Sequence, residues 1–106
     1  MIPKVDTPVL SGQTILLVED EALIAMEIEM SLETVGAKVY GPVPDLAGAV
    51  AAAEAERFDA AVLDIDLGGE EVFPVARILL RRRVPFLFHT GHGLRRELEQ
   101  EFPEAP

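Results

Sequence analysis

Three acidic side chains in this sequence directly follow short apolar runs. The run Ala60–Leu63 ends in Asp64, and the run Ile15–Val18 ends in Glu19 and Asp20. Apolar runs of this length are too short for helices and are typical of buried parallel strands. Because ligands bind outside the carboxyl ends of such strands, we expect these carboxylates to serve a site more than the packing of the core.

These side chains can do chemistry together only if the first and third strands are neighbours, as in the strand order 2-1-3-4. Glu19, Asp20 and Asp64 would then converge at one sheet edge, where three carboxylates need a cation or protons to offset their repulsion. Oxygen ligands without His or Cys suit Mg²⁺. The alternative is that Glu19 or Asp20 only caps the following helix, as acidic residues after strands often do.

Strands alternate with helices along the chain, which predicts a doubly wound α/β fold with a parallel sheet. Residues 1–13 carry Pro and Gly without periodicity and are predicted to be a flexible leader. The strands are predicted at Thr14–Val18, Ala37–Tyr40 (closed by Gly41-Pro42), Ala60–Asp64 and Val84–His89. The domain itself is predicted to span residues 14–106.

Four helices are predicted between and after these strands. The first helix carries Ile24, Ile28, Leu32 and Val35 on one face and is ended by Gly36. The second helix is capped by Asp45, and the third is opened by Glu70-Glu71 and has Pro74 near its start. The last helix contains Leu94, Leu98 and Phe102. The spacing of three and four residues gives each helix an apolar stripe that covers the sheet.

Composition limits the classes of function. The chain has 106 residues with 9 basic and 19 acidic side chains, a net charge of −10 that disfavours nucleic acid and anionic membranes as partners. Arg81-Arg82-Arg83 is the one basic run, and its placement suits a helix C-terminus. The chain has no Cys and no apolar run long enough to span a membrane, so we expect a soluble cytoplasmic domain.

Three stretches resemble the receiver domains of two-component response regulators, in the family's order and spacing. They are ILLVEDE (Ile15–Glu21), AVLDID (Ala61–Asp66) and VPFLFHTG (Val84–Gly91), and the last is similar to the Phe-x-Thr-Gly motif of a single-domain subgroup. The resemblance implies a flavodoxin-like fold and phosphotransfer signalling, with a histidine kinase or histidine phosphotransfer protein as the partner, docked over the first helix near Leu23 and Met26.

The resemblance also implies a role for each site residue. Asp64 would be the phosphoacceptor, and Asp20 and Asp64 would bind Mg²⁺ directly, with Glu19 acting through water. Asp66 would contribute its main-chain carbonyl, and the Thr90 hydroxyl would hydrogen-bond to the phosphoryl group.

Several of these residues have simpler interpretations. The Thr90 hydroxyl could instead cap the last helix. The Asp66 side chain could instead be a solvated charge in a loop. His89 and His92 are interpreted as ordinary strand-end and loop residues.

The sequence departs from the family at its C-terminal end. It stops before a fifth strand and helix, and its two lysines, Lys4 and Lys38, are not placed to replace the family's strand-end lysine. We therefore expect an unpaired edge on the fourth strand (Pro85–Phe88) through which a homodimer could form.

Two alternative functions remain open. One is a pseudo-receiver that binds partners without being switched by phosphorylation. The other is a haloacid dehalogenase-type phosphohydrolase, in which Asp64 would be the nucleophile and Asp66 the general acid.

Overall fold

The computed structural model describes residues 10–89. Its main elements are β1 (Thr14–Val18), α1 (Ala22–Thr34), β2 (Lys38–Val43), α2 (Leu46–Ala55), β3 (Ala60–Asp64), β4 (Asp66–Leu67), β5 (Glu70–Glu71), α3 (Phe73–Arg81) and β6 (Phe86–His89). The predicted last helix, Thr90, His92 and the first nine residues of the predicted leader lie outside the described residues.

Four parallel strands form the sheet in the order β2-β1-β3-β6. This confirms the predicted order 2-1-3-4, since β6 is the fourth long strand, and with it the flavodoxin-like arrangement. β1 lies in the interior of the sheet, and Leu16, Leu17 and Val18 are completely buried. A strand covered on both faces must be apolar at every position, which explains the continuous run.

The main core lies between the sheet and the helices α2 and α3. It joins Leu16, Val18 and Leu63 of the sheet to buried residues of both helices, among them Ala49, Ala53, Val75 and Leu79. Ile15 and Leu17 alternate with these strand residues and therefore point to the other face, on the side of α1. The strand ends are thus held by packing on both faces.

The helix ends follow the sequence signals. Gly36 has a φ of 93° and donates to the carbonyl of Glu33, while Ala37 donates to Leu32, as in a Schellman C-cap. The Asp45 side chain accepts from the N–H of Gly48 at 2.6 Å and caps α2. Both predicted boundaries are confirmed.

Two predicted boundaries are wrong. Glu70-Glu71 does not open α3, because it forms β5, which pairs antiparallel with β4 in a hairpin. Gly68 and Gly69, both with positive φ, form the two-residue turn, and α3 begins later at Phe73. The second strand does not close at Gly41-Pro42 but runs to Val43, which is possible because β2 lies at the sheet edge, where Pro is tolerated.

Candidate acidic metal and phosphoacceptor site

The first and third strands deliver their acidic residues to the same edge of the sheet. Val18 and Leu63 are register partners in β1 and β3, and Glu19 and Asp64 each stand one residue further along. Together with Asp20, they bring one carboxylate oxygen each to within 4.8 Å of one another. The convergence predicted from the two apolar runs is therefore present.

Glu19 is the most deeply buried charged residue of this cluster, with 2% of its surface exposed. Its Oε2 accepts a hydrogen bond of 3.0 Å from the N–H of Glu21. Its Oε1 has no hydrogen-bond partner among the described residues and faces Nε2 of His89 at 3.5 Å. A buried carboxylate oxygen without a hydrogen-bond partner costs free energy, so this position favours the binding of a cation or of a hydrogen-bond donor.

Asp64 is also buried, with 5% of its surface exposed. Burial, followed by a hydrogen bond and the charge of Glu19, raises its pKa to about 7. The N–H of Asp66 donates to Oδ1 of Asp64 at 3.3 Å and acts in the opposite direction. Without a cation, Asp64 is therefore close to its midpoint of protonation at neutral pH.

The β4–β5 hairpin forms one wall of the crevice. Oδ1 of Asp66 accepts from the N–H of Gly69 at 2.8 Å, so the exposed Asp66 side chain holds the turn. A side chain at Gly68 would contact Oδ2 of Asp20 at 3.9 Å, which places the turn beside the cluster. The predicted roles of the Asp66 carbonyl and of Thr90 stay predictions.

Sequence reasoning missed the position of His89. It treated this residue as an ordinary strand end, but Asp64 and His89 are register partners in β3 and β6, so their side chains leave the sheet on the same face. The alternation of side chains along the strands could have predicted this position. Once β3 and β6 are aligned as neighbours, the side chains of His89 and Asp64 must lie on the same face of the sheet.

The donor set of Glu19, Asp20 and Asp64 fits a hard divalent cation. All three offer oxygen, and Mg²⁺ is held in proteins by one or two carboxylates with water completing its shell. Oε1 of Glu19 is unpaired, and burial, followed by the hydrogen bond and charge of Glu19, raises the pKa of Asp64. Both carboxylates therefore lack a compensating positive charge among the described residues. A cation between these groups would supply that charge.

Comparisons with known proteins point to one family. A scan against protein-family models gives no match, and a search of curated proteins gives none either. Among solved structures, the receiver domain of the sensor histidine kinase PA1611 from Pseudomonas aeruginosa PAO1 is 34% identical, with a TM-score of 0.71; the match covers 86% of this chain and 75% of that one. That structure has a magnesium ion coordinated in its active-site cleft.

Two further structures are similar over 89% of this chain. SdrG from Sphingomonas melonis Fr1 is 43% identical with a TM-score of 0.75, and 80% of its chain is covered. The response regulator PhyR from Brucella abortus is 31% identical with a TM-score of 0.71, but the match spans only 38% of that chain. The matches to the PA1611 receiver domain and to SdrG, at 34% and 43% identity, cover 75% and 80% of those chains. Together with the strand order and the acidic strand ends, they show that this chain belongs to the receiver-domain family of response regulators.

Proposed function

We propose that this receiver domain accepts a phosphoryl group on Asp64 with the help of Mg²⁺. The observation that carries the proposal is the convergence of Asp64 with Glu19 and Asp20 at the carboxyl edge of the sheet. The magnesium ion in the PA1611 receiver domain supports the same cation here. The domain acts as a signalling module rather than as an enzyme.

The transfer step needs an ionised carboxylate at Asp64. One of its oxygens attacks the phosphorus of a phosphohistidine, a P–O bond forms, and the P–N bond breaks with its electrons going to the imidazole, which takes up a proton. Mg²⁺, when bound, neutralises charge on the carboxylates and on the phosphoryl oxygens. Asp20 and Asp64 would hold the cation directly and Glu19 through water, while the Asp66 carbonyl and the Thr90 hydroxyl have their predicted roles.

A surface beside the crevice suits the phosphodonor. Leu23, Met26 and Met30 are 68%, 49% and 61% exposed, and their spacing puts them on one side of α1. Large exposed apolar side chains in a row are typical of a helix-binding surface, and Met adapts well to different partners. This surface supports docking of a histidine kinase or histidine phosphotransfer protein over α1, in a cytoplasmic setting.

A pseudo-receiver is the second candidate, and one observation favours it. Lys38 is the one lysine within residues 10–89, and it pairs with Thr14 at the opposite end of the sheet from Asp64. The described part of the crevice thus has no ammonium group to contact a phosphoryl oxygen. A domain of this kind would bind partners without coupling phosphorylation to a change of shape.

The phosphohydrolase alternative has less support. The exposed Asp66 side chain holds the hairpin turn through Gly69, whereas a general acid would have to reach the leaving group. The similar structures are receiver domains and response regulators.

Incubation of the untagged chain with acetyl phosphate and Mg²⁺, followed by intact mass spectrometry, tests the proposal. A phosphoryl adduct that disappears in Asp64→Asn but persists in Asp59→Asn supports phosphoacceptor function. Asp59 is an exposed aspartate at the opposite end of the sheet from the crevice, where its side chain accepts a hydrogen bond from the N–H of Thr14. Rapid consumption of the donor without an adduct would indicate a phosphohydrolase. No adduct and no turnover would indicate the pseudo-receiver.

A further inference from the structure

Two methionines stand on the α1 surface that the proposed function assigns to the phosphodonor. Met26 and Met30 are 49% and 61% exposed, and Leu23, on the same side of the helix, is 68% exposed. Because Met26 and Met30 are four residues apart within α1, their Cβ atoms lie about 5–6 Å from each other. Small solutes can therefore reach both side chains within one patch.

The exposure of these methionines follows from the way α1 packs on the sheet. Ala25 is buried and Ile28 and Leu32 are half-buried, so this side of the helix faces the sheet. Met30 lies on the opposite side of the helix, and Met26 lies at its flank. A chemical change at Met26 and Met30 thus alters a surface and leaves the core intact.

Peroxides oxidise thioethers readily, and this chain offers them no thiol. It has no Cys and no Trp, and its third methionine, Met1, lies outside the described residues. A sulfur lone pair attacks one peroxide oxygen, the S–O bond forms and the O–O bond breaks. The second oxygen of hydrogen peroxide leaves as hydroxide and takes the proton of the new S–OH group to give water. The thioether is thereby oxidised to a polar sulfoxide, and the peroxide is reduced.

We propose that Met26 and Met30 form a paired oxidation site through which peroxides weaken docking of the phosphodonor on α1. A thioether packs against apolar groups of many shapes, whereas a sulfoxide oxygen must be desolvated without a donor at an apolar contact. Two sulfoxides one helical turn apart lie under the same docked partner. Sulfoxide reductases restore the thioether, so the control is reversible. The inference rests on the docking mode of the proposed function and adds its regulation.

Treatment of the untagged chain with hydrogen peroxide, followed by peptide mass spectrometry, tests the site. We expect a single added oxygen on each of Met26 and Met30, removed again by methionine sulfoxide reductases with a dithiol. Binding to a purified histidine kinase or histidine phosphotransfer protein should weaken at least about tenfold on oxidation, because unpaired polar groups are buried. Phosphorylation of the oxidised chain by acetyl phosphate should proceed at an unchanged rate, since this small donor needs no docking surface.

Met26→Leu/Met30→Leu is the matched control, because leucine keeps the surface apolar but forms no sulfoxide, and the variant retains Met1. Each protein is compared with itself before and after peroxide, so the variant need not bind as tightly as the wild type. Donor binding by the variant should not respond to peroxide. Restoration of wild-type binding by the reductases gives the same information without any variant.

Three results would overturn the inference: unchanged donor binding by the oxidised wild-type chain, an equal loss of binding in the leucine variant, or no donor binding before oxidation. The proposed function fails separately. If acetyl phosphate leaves Asp64 unmodified while donor binding still falls on oxidation, phosphoacceptor function is rejected and this inference stands. Phosphorylation of Asp64 together with oxidation-independent donor binding would do the reverse.

Discussion

The main-chain N–H of Asp66, two residues beyond the end of β3, donates a hydrogen bond of 3.3 Å to Oδ1 of Asp64. This bond favours the ionised carboxylate, whereas burial and the nearby Glu19 favour the protonated form. The second group of effects is larger, and the pKa of Asp64 is raised from 3.8 to about 7. The ionised form of Asp64 is therefore destabilised in this acidic cluster when no cation is bound.

We expect the metal-free protein to lose stability as the pH rises from about 4 to about 7. In this window the folded Asp64 keeps a proton that the unfolded chain has released, so folding takes up a proton and becomes less favourable at higher pH. Urea unfolding in EDTA across this range measures how the free energy of unfolding changes with pH. The Asp64→Asn variant should lack the part of this change that comes from Asp64. Equal slopes in the wild-type protein and the variant would contradict the assigned pKa.

Asp20→Ala should weaken Mg²⁺ binding at least about tenfold, because it removes one of the two proposed direct ligands. Asp20 is exposed, so its loss should change the free energy of unfolding by less than about 0.5 kcal/mol. Calorimetric titration with Mg²⁺ measures the effect, and Glu70→Ala, in the exposed hairpin strand, is the matched control. Undiminished Mg²⁺ affinity in Asp20→Ala/Asp64→Asn would show that the site lies elsewhere.

The sequence was sufficient to predict the strands and the acidic residues at their ends, while the sheet order came with the resemblance to receiver domains. The strands and their acidic ends depended on strong local signals: continuous apolar runs for strands buried on both faces, and acidic residues directly after two of them. Because the carboxyl ends of parallel strands share an edge, Glu19 and Asp64 had to meet once β1 and β3 were neighbours.

Features that depend on pairing between segments could not be read from the sequence. Glu70 and Glu71 suit the first turn of a helix, but their pairing with β4 outweighs this preference. Likewise, Pro42 suggests the end of a strand until β2 is known to lie at the sheet edge. The contact of His89 with Glu19 spans three strands and follows only from their common register.

Gly41→Ala should destabilise the protein by more than about 2 kcal/mol. Gly41 has a φ of 114°, and a Cβ there would lie 2.6 Å from the carbonyl oxygen of Leu17 and 2.7 Å from the nitrogen of Val43. Gly12→Ala is the matched control, because Gly12 also has a positive φ but open space around it. Chemical unfolding should show the larger loss at Gly41, and equal losses would mean that the close approach to β1 is unimportant.

Self-association through β6 is a further prediction. Among the described residues no strand pairs with the outer edge of β6, and Leu87 is 60% exposed there. Strand edges with exposed apolar side chains favour pairing with another chain. Sedimentation velocity at increasing concentration should show dimers that Leu87→Lys weakens, whereas Leu80→Lys, at an exposed position of α3, should not. A wild-type chain that stays monomeric throughout would reject the prediction.

Met26→Lys and Leu23→Lys should slow phosphotransfer from the cognate donor while leaving phosphorylation by acetyl phosphate unchanged. The two side chains are exposed on α1, which begins at Ala22 directly after the acidic residues, so a charge there would hinder a docked partner without disturbing the crevice. Burying an unpaired charge at a contact costs several kcal/mol, and we expect the rate to fall at least about tenfold. Leu80→Lys on α3, with similar exposure, controls for a general effect of added charge. Unchanged transfer in both α1 variants would show that the donor docks on another surface.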